Sequence, residues 1–285
     1  MCRLFGMSAG PRRASATFWL LDAPDSLSAQ SHREPDGTGL GWFDAHGSPR
    51  VSKQPLAAFE DRAFAQQGRA LRSRTFIAHI RFASTGALEE RNTHPFEQSG
   101  RLFAHNGVLG DLERLDDHLG ADRSLVKGDT DSERLFALIT RETLAAGGDV
   151  ERGIEAACAW VAANLPLFAI NFVLATADEL WALRYPATHD LFVLERAAGA
   201  PLANRSTLGT RVASRHGATD PLVVLASERM DDDPGWRPLD SGELLHIAAD
   251  LHVSGRVILP DEPAHRLTLA DLGDRARASQ ARAAP

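Results

Sequence analysis

Short apolar runs bounded by glycine and polar residues open the chain, longer runs with a helical period follow, and short apolar runs return after them. Cys2–Ser8 is apolar enough for a strand. Arg33-Glu-Pro-Asp-Gly-Thr-Gly39 is a glycine-punctuated loop leading into Leu40–Phe43, and Asp44–Gly47 turns the chain into Val51–Lys53, a hairpin pattern. Ala57–Arg72 carries a helical scatter of Phe59, Ala63, Phe64 and Leu71. Thr75–Phe82 and Arg101–His105 read as strands, the second ending at Asn106-Gly107. The period then changes: Asp131–Ala146 and Val150–Leu165 both read as amphipathic helices, which suggests a helical layer over a sheet. Phe168–Ala175, Leu180–Arg184, Leu191–Leu194, Leu222–Leu225 and Glu243–Ile247 are short strands separated by turn-rich joints. Strands, then helices, then strands predict an α+β domain with antiparallel sheets. Asp274–Pro285, rich in Ala and Arg, is expected to be a frayed, disordered tail.

Composition narrows the class. With 285 residues and 44% hydrophobic side chains, the chain can bury a core, which excludes a disordered or fibrous protein. Lys and Arg total 31 against 38 Asp and Glu, a balance of 31 − 38 = −7, and no sustained basic run occurs. Nucleic acid and membrane surfaces are therefore poor partners, and small-molecule chemistry is the better expectation. The two cysteines, Cys2 and Cys158, make no disulfide framework and lack zinc spacing, so a reducing compartment is expected. No secretory signal pattern opens the chain, and the longest apolar stretch, Leu165–Thr176, is broken by Pro166 and Asn171. The expected location is the cytoplasm.

Candidate chemistry gathers at strand ends. If Met1 is removed, Cys2 carries a thiol and a free amine on one carbon, with ordinary pKa values of about 8.5 and about 7.7–8.0. Nucleophile and base then share one residue. A second-position cysteine is by itself more readily a sequence accident or a small buried hydrophobe, and Cys158, inside an Ala-rich helix, reads as packing. Asn106 and Gly107 offer a side-chain amide and an accessible backbone N–H for an oxyanion, although Asn-Gly is also the strongest hairpin-turn signal. Arg81, with Ser84, Thr85 and Gly86 just beyond it, could grip a carboxylate through its planar fork or lie on a sheet edge. His79 alternates to the same face as Arg81, and His94 is held before Pro95. Asp131 could meet a substrate ammonium, yet Thr130 and Glu133 have capping-box spacing, a purely structural reading. The histidines are too scattered for metal-ligand spacing, so neither a metal nor another cofactor is expected.

The order of these motifs is more informative than any one of them. Cys2, Arg33-x-x-Asp36-Gly-x-Gly39, His79-x-Arg81, Asn92-x-His94-Pro95, His105-Asn106-Gly107 and Thr130-Asp131-Ser132-Glu133 together resemble the class II glutamine amidotransferases. These are the N-terminal-nucleophile hydrolases that use cysteine. Met1-Cys-Arg-Leu-Phe-Gly-Met-Ser-Ala9, Glu34-Pro-Asp-Gly37, and Val224-Leu-Ala-Ser-Glu-Arg229 with Trp236 look most like the stand-alone YafJ-type and γ-glutamyl amidohydrolase branch.

The resemblance implies a four-layer α/β/β/α sandwich of two antiparallel sheets over residues 2–255. It makes Cys2 the nucleophile, Asn106 and Gly107 the oxyanion hole, Arg81 the clamp on a substrate α-carboxylate and Asp131 the partner of its α-ammonium. Ser84, Thr85 and His94 would line the substrate pocket, with Arg33 and Asp36 as a looser loop pair near the nucleophile. The implied activity is hydrolysis of a γ-glutamyl amide, in glutamine or a conjugate, through a γ-glutamyl thioester. A glutaminase feeding ammonia to a separate synthetase partner is the alternative, and a pseudoenzyme or interaction protein the third reading. Phe82 stands where the family usually has tryptophan, and Thr38 where an aromatic is common, which bears on substrate side-group preference. Nothing after residue 250 reads as a synthase domain.

Overall fold

A strand that is apolar on both faces needs cover on both, and β1 (Arg3–Ser8), β4 (Thr75–Arg81) and β6 (Arg101–Leu109) are buried along their whole length. The computed structural model describes residues 2–82, 87–199, 203–205, 211–213 and 220–280. Sheet I joins β1 and β4 to β2 (Gly37–Phe43), β3 (Pro49–Gln54), β9 (Phe192–Arg196), β12 (Leu222–Ala226) and β13 (Arg237–Pro238). Its spatial order is β13-β9-β12-β1-β4-β2-β3. Sheet II runs β15-β14-β8-β7-β6-β5. These are β5 (Phe96–Gln98), β6, β7 (Pro166–Ala175), β8 (Leu180–Arg184), β14 (Glu243–Ile247) and β15 (Val253–Val257). The pairings within both paths are antiparallel, and β16 (His265–Arg266) adds a parallel pairing to β7. A separate short ladder joins β10 (Ala203–Arg205) to β11 (Arg211–Ala213).

Alternation divides each strand between two cores. Leu4, Ile77, Leu102, Ala104, Val173 and Val223 meet between the sheets. Phe5, Met7, Phe76, Ala78, Ile80 and Val224 face outward from sheet I onto Trp19, Leu20 and Phe64, the last of these on α2 (Arg62–Ala70). On the other side Phe103, Phe172 and Leu174 pack under α4 (Asp131–Ala145) and α5 (Val150–Asn164), through Leu135, Phe136, Ile154 and Val161. The result is the expected α/β/β/α order. The smaller helices α1 (Leu27–Gln30) and α3 (Leu112–Leu119) fill connections, and α3 carries no strong signal in the opening pattern.

Three expectations need correcting. β6 does not end at Asn106-Gly107; it continues to Leu109, because β7 pairs with it from Leu102↔Ala175 through Val108↔Ala169. A Cβ on Gly107 would lie 1.8 Å from the Ala169 carbonyl oxygen, so this glycine serves close strand approach rather than a turn. The capping box at α4 forms only by half. Thr130 Oγ1 accepts from Glu133 N at 3.2 Å, but Glu133 turns to the Gly128 N–H at 2.6 Å. Finally, the tail is not wholly disordered: Asp274–Gln280 is helix α6, while residues 281–285 lie outside the described residues. Its anchor is polar as well as apolar, with Gln280 Oε1 2.8 Å from His189 Nε2 and the preceding Leu272 packed with Val108, Phe168 and Ala169.

Candidate active site

Cys2 immediately precedes β1, a strand paired on one side to β4 and on the other to β12. The thiol therefore sits at the end of a central strand. Its Sγ donates to the Phe82 carbonyl at 3.2 Å and accepts from the Phe82 N–H at the same distance. Burial raises the thiol pKa above its usual value, partly countered by the Phe82 backbone and by Arg81. The resting group is the thiol.

Strand parity decides what joins it. Arg81 and His79 share the parity of the inward-facing Ile77, so both point between the sheets. Asn106 shares the inward face of β6 with Ala104, and its Nδ2 donates to the Cys2 carbonyl at 3.1 Å. An amide carries two N–H bonds, so one remains for a further acceptor. His105 takes the opposite face of β6 and reaches the first turn of α4, where its Nδ1 lies 2.9 Å from Ser132 Oγ. Its Nε2 lies 3.3 Å from the Ala169 carbonyl, an acceptor, which places the ring proton on Nε2.

Two glycines bring His94 into this group. Cβ atoms at Gly39 and Gly41, alternate positions of β2, would come within 1.8 Å of the His94 carbonyl oxygen and 2.9 Å of Pro95 Cγ. Without side chains there, the His94-Pro95 segment crosses directly over β2. His94 then packs between His79, with ring centroids 4.2 Å apart and planes tilted by 39°, and Phe96, met edge-on at 4.6 Å. Burial keeps both histidines neutral, pulling His79 down to about 3 and His94 well below its ordinary value.

One small cavity is lined by Cys2, Arg81, Phe82, His94, His105, Gly107 and Thr130–Ser132. Asp131 is buried in its wall. At the irregularity between Val108 and Leu109 the ladder to β7 slips, and Asp131 Oδ2 accepts the Leu109 N–H at 2.9 Å. The helix cap is Thr130, and Asp131 bridges the helix start to the strand, its Oδ1 accepting the Ser132 N–H at 2.9 Å. Of the other expected residues, Arg33 is exposed and pairs with Asp25 at 3.2 Å and Glu228 at 3.3 Å. Asp36 joins the site through its backbone N–H, which donates to the Arg81 carbonyl at 3.0 Å. Ser84 and Thr85 lie outside the described residues.

Sequence reasoning passed over Arg3 and Glu34. Arg3 is 1% exposed and Glu34 2%, and they pair at 3.5 Å, with Glu228 2.8 Å from the same guanidinium. An arginine inside a wholly apolar strand was the available signal, because such a charge demands a buried counter-charge. A larger cleft, lined by residues such as Arg13, Asp44, Arg74 and Asp178, lies at the opposite ends of the strands and contains no cysteine. Among the described residues, no group of three or more His, Cys, Asp or Glu is placed to hold a metal ion. None of their helices is long and apolar enough to cross a membrane.

The two-sheet sandwich is an N-terminal-nucleophile fold, and the family match and its hydrolase relatives make the protein an amidohydrolase of that type. The chain belongs to the class II glutamine amidotransferases, whose family model matches residues 1–262. It is 31% identical over 265 residues to the gamma-glutamyl-hercynylcysteine sulfoxide hydrolase of Mycolicibacterium smegmatis, covering 89% of this chain and 98% of that protein. It is 26% identical to the putative glutamine amidotransferase YafJ of Escherichia coli, covering 85% of this chain and 96% of that one. The glutamine phosphoribosylpyrophosphate amidotransferase of B. subtilis shares the fold with a TM-score of 0.66 at 19% identity, over 92% of this chain and 50% of that one.

The double attachment of Asp131 makes its substitutions separable. Asp131→Asn keeps one acceptor oxygen for the Leu109 N–H but loses the second, which receives the Ser132 N–H, and should melt moderately below wild type, whereas Asp131→Ala orphans both donors and should lose more, about 1–3 kcal/mol for each one left buried. Thermal melts of the pair check this, and equal losses would remove the strand-bridging role. The neutral histidines set a pH dependence. The folded state rejects protons that the unfolded chain binds below its ordinary histidine pKa of about 6.5, so stability should fall as pH drops from there toward about 3. Each such histidine contributes up to about 1.4 kcal/mol per pH unit. Urea midpoints at pH 7 and pH 5 should therefore converge in His79→Gln relative to wild type; equal pH sensitivity would refute it.

Proposed function

We propose that this protein hydrolyses the γ-glutamyl amide bond of a γ-glutamyl conjugate or of glutamine, with Cys2 as nucleophile after removal of Met1. The observation that carries the reading is the convergence of Cys2, Arg81, Gly107 and Asp131 on one cavity, with Asn106 bound to the Cys2 carbonyl. The α-amine of Cys2 takes the thiol proton as sulfur attacks the γ-carbonyl carbon. The unused N–H of Asn106 and the backbone at Gly107 receive the developing oxyanion. Collapse of the tetrahedral intermediate breaks the C–N bond, and the amine passes its proton to the departing nitrogen. Water then attacks the γ-glutamyl thioester, giving up a proton to the same amine, and glutamate leaves as the thiol is restored.

Arg81 holds the substrate α-carboxylate through a planar fork, and Asp131 the α-ammonium. His94, buried and neutral, offers the cavity a donor and an acceptor without a charge. The relative from Mycolicibacterium smegmatis, named for a γ-glutamyl conjugate, supports a conjugate over glutamine as substrate.

The test combines an intact mass with glutamate release over γ-glutamyl conjugates and glutamine. The active protein should lack Met1, Cys2→Ala should be inactive, and Cys158→Ser should retain activity, because Cys158 is fully buried in α5. Asn106→Ala should lower kcat by about 10²–10³. Substrates with an amidated α-carboxylate or acetylated α-amine should be cleaved poorly. Full activity with Met1 retained, or equal cleavage of blocked substrates, would overturn the mechanism or the clamp respectively.

A further inference from the structure

The nucleophile has a charged neighbourhood that the reaction above leaves unused. Arg3, the residue after Cys2, is buried in a strand of apolar side chains and lies between two carboxylates, Glu34 at 3.5 Å and Glu228 at 2.8 Å. Glu34 is as deeply buried as Arg3. The loop carrying it is tied to the site two residues later, where Asp36 N–H donates to the Arg81 carbonyl and Gly37 pairs with Arg81 in the ladder. The next residue, Phe82, holds Cys2 Sγ through both its N–H and its carbonyl. Glu34 and Cys2 are thus bracketed by the same short stretch of β4, and the Glu34 charge is felt at the thiol.

A second observation concerns the main chain of Cys2. Asn106 donates to its carbonyl, yet the buried Asn106 Oδ1 has no hydrogen-bond partner. A buried acceptor is destabilising without a donor, which makes this oxygen a ready partner for an N–H. An amino terminus on Cys2 would supply two or three N–H bonds beside that carbonyl.

We propose that Glu34 is a positioning residue for the nucleophile's own amine. Once Met1 is removed, its carboxylate accepts a hydrogen bond from the new amino terminus and, with Asn106 Oδ1, aims the amine at the thiol. Arg3 fixes the carboxylate from behind, and Glu228, itself held by Arg33, fixes Arg3. The charged groups facing the amine are then Arg3 from β1, Glu34 and Asp36 from the loop before β2, Arg81 from β4, Glu228 after β12, and the thiol itself. This rests on the N-terminal-nucleophile reading, from which it is separable.

The experiment is a pH profile of kcat/KM for glutamate release by the processed enzyme, with Glu34→Gln and Glu34→Ala. A neighbouring carboxylate favours the ammonium form, so removing its charge lowers the pH at which the amine becomes a base. In Glu34→Gln the acid limb should move down by at least about half a pH unit, with an acceptor retained. In Glu34→Ala kcat should fall by about tenfold or more while KM changes little, because the proposed partner of Glu34 is the amine and Glu34 is not among the cavity-lining residues. Partial recovery of kcat in Glu34→Gln relative to Glu34→Ala is the expected rescue. If Glu34→Ala does not fold, the limb in Glu34→Gln alone decides. An unmoved acid limb, in protein shown by mass to lack Met1 and shown to need Cys2, would overturn the role of Glu34 and leave the nucleophile intact. Activity in Cys2→Ala would overturn the underlying reading instead.

Discussion

The structure depends on pinning the main chain at Cys2. Here β1 lies in the middle of sheet I with ladders to β4 and β12, and Asn106 of the facing sheet holds the Cys2 carbonyl at 3.1 Å. Position 2 is therefore fixed from three directions. The inter-sheet core serves the same end, because Leu4 and Ile77 set the parity that aims Arg81 inward and Asn106 across the gap.

Such a site needs polar groups in the sandwich without adding charge to it, and three buried histidines meet that need. His79, His94 and His105 are all buried and all shifted toward neutrality by burial. Their approach depends on absences: no side chain at Gly39 or Gly41 over which His94-Pro95 passes, and none at Gly107 where Ala169 comes close. These glycines are packing elements. Their work is done by what a Cβ would strike, not by unusual backbone angles.

That distinction also explains what could be read in the sequence. The helices at Asp131 and Val150 and the strands β1, β4, β8 and β14 were legible from periodicity, because their burial is one-sided or complete over a run long enough to show it. β6 beyond His105 was not, since Asn-Gly is a local turn signal and the competing pairing comes from a strand about sixty residues away. The order of motifs pointed to Cys2, Arg81, His94, Asn106 and Asp131 as a group, and the fold brings them to one end of the sandwich. What stayed hidden was pairing between distant charges. Glu34 in a Pro-Asp-Gly loop reads as solvated until Arg3, from another strand, is seen beside it. Asp131 likewise reads as a cap until the slipped Leu109 N–H is seen to need it.

The two cysteines show why the proposed mechanism calls for a base on the nucleophile itself. Both are buried, and burial raises both thiols. Around Cys158 burial is the whole cause, whereas Cys2 also meets the Phe82 N–H and the Arg81 charge, which work in the opposite direction. With Met1 in place these groups do not overcome burial, so the resting thiol needs a proton acceptor as it attacks a carbonyl. The neighbouring imidazoles are poor acceptors of that proton: His94 and His105 line the cavity, but burial disfavours their charged forms. Asp131 already accepts two backbone N–H bonds, from Leu109 and Ser132. An amine on Cys2 would begin with a pKa of about 7.7–8.0 and lie on the same carbon as the thiol side chain. It is the group whose proton affinity and reach both suit the task.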